Sequence, residues 1–199
     1  PVGLANEITD LLFTTRLLSN IFAEYTILKG LTFKTSWGAD LYNTQSNYYA
    51  TRLIGLGASS SGSASISSSM NLNWLNENTL TYKTTFSDLH SLTVLLGYTT
   101  QAYDNENVTA RAVNFNDDFA SYNNLGAGAS LQTPASGSGE WSLISYLARV
   151  NYVYDNRYLL TLTAREDGSS RFGPNNKYGF FPSGAFAWRV SNEKFMNSL

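Results

Sequence analysis

Apolar and polar residues alternate along this chain in paired runs. From Arg16 to Leu28 the odd positions hold Leu17, Ser19, Ile21, Ala23, Tyr25 and Ile27, with Arg16, Asn20, Glu24 and Thr26 between them. A period of two sends successive side chains to opposite faces of a β-strand, so this run predicts a strand with one apolar face; Leu18 and Phe22 are its exceptions. Lys29-Gly30 supplies a tight turn, and Leu31, Phe33, Trp37, Ala39 and Leu41 then alternate with Thr32, Lys34, Ser36, Gly38 and Asp40. The two runs predict one long hairpin.

A second hairpin places Trp74, Leu80, Tyr82 and Phe86 on one face, turns over Ser87 to His90, and returns with Leu92, Val94, Leu96 and Tyr98. In a third, Ile144, Tyr146, Ala148, Val150 and Tyr152 alternate with Ser145, Arg149 and Asn151; the chain turns at Asp155 to Arg157 and returns through Tyr158, Leu160, Leu162 and Ala164. A seventh strand, Tyr178 to Val190, carries Phe180, Phe186 and Trp188 on one side and Ser183 and Arg189 on the other. The turns within hairpins are tight, whereas the segments between hairpins, Asn43 to Ser69 and Ala102 to Gly139, are polar and read as long loops.

Short connections at one end and long ones at the other are the asymmetry of outer-membrane barrels. Several runs exceed the usual strand length of soluble sheets. Trp37, Trp74, Tyr98, Tyr158 and Trp188 fall near predicted strand ends, where an interfacial aromatic girdle lies. The predicted fold class is all-β: an antiparallel, up-and-down transmembrane β-barrel. The competing architecture is a soluble or cell-surface β-sandwich acting as a binding module, which has no reason to sort its loops by length. Seven strands is an odd count and bacterial single-chain barrels have even ones, so residues 1–199 read as part of a larger barrel whose open edges pair with further strands. After the seventh strand, Ser191 or Asn192 is placed to cap a short helix containing Glu193 and Lys194.

Composition sharpens this picture. Aromatic residues make up 14% of the chain, which suits strands and membrane interfaces. The net charge is −2 and no stretch of sequence clusters Lys and Arg, so the footprint of a nucleic-acid-binding protein is missing. There is no cysteine and no metal-ligand spacing, and no cofactor is expected. No apolar run reaches the roughly 18 residues of a transmembrane helix, and a mean hydropathy of −0.20 fits a barrel whose strands alternate.

Candidate chemistry is sparse. Glu166 and Asp167 are adjacent strand residues that point to opposite faces, so they cannot grip one sugar as a glycosidase pair does. His90, in a predicted turn beside Asp88 with no nucleophile near it, reads as solvated surface, and no catalytic residue is assigned. The segment REDGSSRFGPNN, from Arg165 to Asn176, supplies turn chemistry at Asp167-Gly168 and a strand stop at Gly173-Pro174. No helix follows its glycines, which removes a phosphate cradle. It is expected to form an outer-rim loop in which Asp167, Ser169, Ser170, Arg171 and Asn175 are the candidate contacts. Arg149, Asn151, Thr163, Arg165 and Arg189 fall on the polar face.

The stretch from Asn156 to Met196, NRYLLTLTAREDGSSRFGPNNKYGFFPSGAFAWRVSNEKFM, resembles the signature region of SusC/RagA-type TonB-dependent outer-membrane transporters. AEYTILKGLTFKTSWGAD from Ala23 to Asp40, NTLTYKTTF from Asn78 to Phe86 and LLGYTTQ from Leu95 to Gln101 are similar to that family as well. The resemblance implies a plugged barrel of about 22 strands, with the plug and the TonB-contacting segment outside the matching residues, set in the outer membrane of a Gram-negative cell. It further implies a SusD-like surface lipoprotein as partner and import of an oligosaccharide or peptide. On this reading the polar-face residues line the lumen, where they either hydrogen-bond the plug or border the path of substrate.

Overall fold

The computed structural model describes residues 6–198. Eight strands form one sheet: β1 (Ile8–Leu28), β2 (Leu31–Ala50), β3 (Ser63–Phe86), β4 (His90–Phe115), β5 (Gly128–Leu131), β6 (Ala135–Tyr154), β7 (Tyr158–Ser169) and β8 (Tyr178–Trp188). The order is β1-β2-β3-β4-β6-β7-β8, so seven strands run up and down beside their chain neighbours; short β5 pairs with the far end of β4. The predicted all-β architecture and its tight turns are all present. Among the described residues no helix is long and apolar enough to cross a membrane.

The strands are longer than their alternation indicates. β3 and β4 run for 24 and 26 residues, against the roughly 9 to 11 that cross a bilayer. Much of the two segments read as loops is therefore strand: β2 continues to Ala50, β3 begins at Ser63, β4 reaches Phe115 and β6 begins at Ala135. Their sequences, such as SASISSS and AYDNENVTARAV, carry polar residues on both faces, which erases the period of two without preventing backbone pairing. For the same reason Trp37, Trp74 and Tyr98 stand inside β2, β3 and β4, not near their ends, while Tyr158 and Trp188 are terminal.

Two compact units can be distinguished. The first comprises Ser19–Ala39, Trp74–Ala102 and Trp141–Leu199 and contains the three tight turns. Gly30 adopts φ 85°, and Ser87, Asp88, Asp155 and Asn156 also have positive φ. Asp and Asn enter the left-handed region more readily than other non-glycine residues, which is why these turns close in so few positions. Neighbouring turns are stitched together by backbone bonds from Lys83 N to Gly30 O, Asp155 N to Leu89 O and Arg189 N to Arg157 O, each 2.7 Å long.

Register fixes the faces in this unit. β6, β7 and β8 align Tyr146, Val150 and Tyr154 with Glu166, Leu162 and Tyr158, and these with Phe180, Gly184 and Trp188. That face is apolar apart from Glu166 near its end, and its large side chains stand open: Leu162 is 51% and Phe186 67% exposed. No second layer covers it among the described residues, which removes the sandwich. At the tight-turn end an aromatic row crosses the sheet. Phe86 stacks on His90 at 4.7 Å, His90 lies 5.0 Å from Tyr154, Tyr154 6.2 Å from Tyr158, and Tyr158 6.4 Å from Trp188. His90 is thus not the solvated residue expected: its Nδ1 lies 2.6 Å from the Tyr152 hydroxyl.

The chain beyond β8 also departs from expectation. In place of a capped helix it forms 3-10 turns over Val190–Asn192 and Lys194–Ser198. Glu193 between them is buried, and its carboxylate accepts bonds from Trp188 Nε1 (3.0 Å), Tyr158 Oη (2.9 Å) and Arg157 Nη1 (2.7 Å). These donors hold the Glu193 carboxyl below its ordinary titration range. One carboxylate so ties the last strand, the adjacent turn and the tail together.

The other unit comprises Pro1–Leu18, Asp40–Asn73 and Tyr103–Glu140 and holds the long connections. Its buried cluster is Tyr49, Ala64, Ala112 and Phe115, with Tyr122 and Leu125 packed against it. The Tyr49 and Phe115 rings meet edge-on at 5.5 Å, a favourable geometry for their quadrupoles.

Two measurements check this description. A Cβ on Gly30 would stand 2.2 Å from the Lys83 carbonyl oxygen, with φ already positive, so Gly30→Ala should lower stability by about 1–3 kcal/mol, read as the urea midpoint of the folded barrel. Glu193→Gln should remove the ion pair with Arg157 and expose Trp188, read as a red shift of tryptophan emission relative to Trp188→Phe controls.

Candidate functional site

On β6, β7 and β8 the face opposite the aromatic one carries the predicted polar residues. Arg149 pairs with Thr163, Asn151 with Thr161, and Thr163 with Ser183 across the strands, so their side chains share one surface. They form short bonded groups: Arg149 Nε donates to Thr163 Oγ1 (3.2 Å), and Thr161 Oγ1 donates to Asn151 Oδ1 (2.9 Å). Arg165 Nε donates to both Asp167 oxygens at 2.7 and 2.9 Å, and its Nη2 reaches the buried Ser145 Oγ at 3.2 Å. Leu147, Val153, Leu159 and Phe181 interrupt the polar surface. Arg189 lies just past β8, where its guanidinium bonds the Asn156 side chain in the tight turn.

The rim segment divides differently from the sequence reading. β7 extends to Ser169, so Asp167 and Ser169 are strand residues and only residues 170–177 connect to β8. Gly168 permits this pairing, because a Cβ there would meet the Tyr178 ring at 2.5 Å. Ser170 is clipped to β6 twice: Ser142 N donates to its Oγ and its N donates to Ser142 O, both at 2.9 Å. The next residue, Arg171, lays its guanidinium over the Trp141 ring at 5.2 Å, an attractive cation–π placement. Asn175 is exposed within the connection. Trp141 escaped the sequence reading because it lies between the predicted loop, which ends at Gly139, and Ile144, where the predicted alternation begins.

The unit with the long connections holds two polar groups that pattern alone does not reveal. Asn71 Oδ1 accepts from Tyr103 Oη at 2.7 Å and Asn105 Nδ2 at 2.8 Å, linking β3 to β4. Near the strand ends Asp118 accepts from Tyr49 Oη (2.7 Å) and Arg52 Nε (3.1 Å), while Arg52 Nη1 donates to Asn116 O (2.7 Å). This clasp joins residues 66 positions apart in sequence. Burial raises the Asp118 carboxyl, but the bonds from Tyr49 and Arg52 outweigh it and hold the group below its ordinary range. A carboxyl lowered on folding stabilises above its unfolded value of about 4 and stops doing so as pH falls through its lower folded value. Hydrogen exchange at residues 116–119, corrected for intrinsic pH dependence, should therefore accelerate as pH drops below about 4, and Asp118→Asn should remove that step.

No protein-family model matches the chain. It is 41% identical over 196 residues to "TonB-dependent receptor P3" of Formosa agariphila, an alignment covering 98% of this chain and 20% of that protein. "TonB-dependent receptor SusC" of Bacteroides thetaiotaomicron is 48% identical over 58 residues, 29% of this chain and 6% of the relative. Among solved structures, the RagAB peptide transporter superposes with a TM-score of 0.89 at 27% identity, over 96% of this chain and 21% of the transporter chain. The chain thus spans about a fifth of the length of these full-coverage relatives. With the strand order, the connection asymmetry and the Asn156 to Met196 stretch, these likenesses place the chain in the SusC/RagA-type TonB-dependent transporters.

Proposed function

We propose that this chain is a wall segment of a TonB-dependent importer in the outer membrane of a Gram-negative cell, moving an oligosaccharide or peptide inward and supplying no catalytic group. The observation that carries the reading is the bare apolar face. Phe180, Phe186 and Trp188 are 64%, 67% and 48% exposed on one surface of the sheet, an arrangement that hydrocarbon tolerates and water does not. Aromatic contacts mark both margins of this face. Eight residues along β4 and β6 from the His90 and Tyr154 row, Tyr98 and Tyr146 meet at 5.5 Å. At about 3.3 Å per residue and the usual tilt, that separation spans about 20 Å of bilayer depth, close to the apolar band of outer-membrane barrels.

On this reading the opposite face is the lumen. Arg149, Asn151, Thr163 and Arg165 line it, and their mutual bonds favour a structural wall that meets a plug over an open row of substrate ligands. Arg171, beside Trp141, is the rim residue best placed to touch incoming solute. The partners that follow are outer-membrane lipid, a SusD-like surface lipoprotein, and TonB acting through a part of the protein outside these residues.

Face assignment is directly testable in the intact outer-membrane protein. Leu162→Arg, on the apolar face, should cost about 2–4 kcal/mol if it meets mid-bilayer, whereas Thr163→Arg should cost clearly less. Urea midpoints of folded protein in lipid vesicles provide the comparison. Equal penalties would overturn the membrane assignment of this face.

A further inference from the structure

Just beyond the Tyr98 and Tyr146 margin, the apolar face holds a cleft of about 310 Å³. Ile144, Gly168 and Tyr178 line it and are paired across β6, β7 and β8, one step along from Tyr146, Glu166 and Phe180 on the same face. Thr100 follows Tyr98 by two positions in β4, and Ser142 precedes Ile144 by two in β6. Ser170 completes the wall, its Oγ accepting a bond from Ser142 N at 2.9 Å and keeping its proton to donate. Gly168 forms the floor beneath the Tyr178 ring: a Cβ there would lie 2.5 Å from that ring and 3.0 Å from Ile144 Cγ2. Tyr178 is 58% exposed, so much of its ring stays open.

Height and chemistry together narrow the occupant. Two to four residues past the aromatic margin, at about 3.3 Å per residue and the usual tilt, is about 5–10 Å of depth, comparable with the polar headgroup layer of a bilayer. Thr100, Ser142 and Ser170 carry hydroxyls that both donate and accept, as the hydroxyls of a sugar do, and the open Tyr178 ring offers an apolar plane for the C–H face of a pyranose. A phosphate is less well served. Lys177 borders the cleft, but it stands opposite Ser169, whose β6 partner is Leu143 on the polar face, so register turns it from lipid. Glu166, exposed two positions nearer mid-bilayer on the apolar face, forms no ion pair among the described residues. Its carboxylate accepts from hydroxyls and repels phosphate.

We propose that this cleft binds the headgroup of a sugar-headed lipid of the outer leaflet, whose acyl chains run down over Tyr146 and Phe180. The proposal rests on the transporter reading, which turns this face to lipid and this end of the sheet outward. The cleft is near the small end of ligand pockets, about 300 Å³, which suits one or two rings held by an anchored tail. The imported solute is not its occupant, because that solute passes on the other side of the sheet.

The test uses the intact outer-membrane protein in phosphatidylcholine vesicles doped equally with monoglucosyl diacylglycerol and phosphatidylglycerol of the same acyl chains. Native mass spectrometry of the released protein counts the lipids retained, and heat-modifiable electrophoretic migration reports barrel folding. Wild type should retain the glucosyl lipid in preference to phosphatidylglycerol. The T100V/S142A variant, folded, should lose about tenfold of that retention, the worth of two ordinary hydrogen bonds, and Tyr178→Leu should lower it as well. Soluble glucose should not displace the lipid. Equal retention of the two lipids by wild type overturns the proposal, as does preference for phosphatidylglycerol, which would mark a phosphate site. Displacement by soluble glucose would assign the cleft to a free sugar and overturn the lipid, and undiminished preference in a folded T100V/S142A variant would move the site elsewhere and overturn the cleft. A wild-type protein without a heat-modifiable barrel would overturn the transporter reading itself.

Discussion

Backbone hydrogen bonding in the absence of water is the constraint on which this structure depends. Within hydrocarbon each N–H and C=O must find a partner in the protein, and strands can meet that demand only side by side in a sheet that closes. Here β1, β2, β3, β4 and β6 run 20 to 26 residues with paired neighbours. Among the described strands β1 and β8 form the edges of the path. Side chains then decide which face meets lipid, and the polar face becomes available for solute or for another protein element.

Once pairing is settled, a few side-chain devices terminate the sheet. At the tight-turn end Asp, Asn and Gly residues enter positive φ, and Glu193 draws together Trp188, Tyr158 and Arg157. In the unit with long connections the Tyr49, Arg52 and Asp118 clasp does comparable work beside a small aromatic core. Polar bonding is abundant there because little apolar burial exists among the described residues beyond the cluster of Tyr49, Ala64, Ala112 and Phe115. On the proposed reading, the sheet gains stability from lipid on one side and from the contents of the lumen on the other.

The proposed function follows from this division of labour. An importer wall needs no reactive group; it needs a stiff frame, an apolar belt and a polar lining whose bonds are already satisfied. Arg165, held by Asp167 and Ser145, is a wall element in this sense. The Arg171 guanidinium instead rests on the Trp141 ring at a connection and forms no ion pair among the described residues.

The sequence by itself determined the fold class, the tight turns and the two faces of β6, β7 and β8, because a strand with one apolar and one polar face writes a period of two into the chain. Val150, Leu160, Leu162 and Phe186 against Arg149, Asn151, Thr161 and Thr163 is that record. The record fades where both faces are polar, which is why the outer parts of β2, β3, β4 and β6 read as loops. Tertiary structure alone decided the rest: the place of His90 in the aromatic row and the Asp118 clasp across 66 positions. Each depends on which strands lie side by side and in what register, and pairing between distant segments leaves no local periodicity to read.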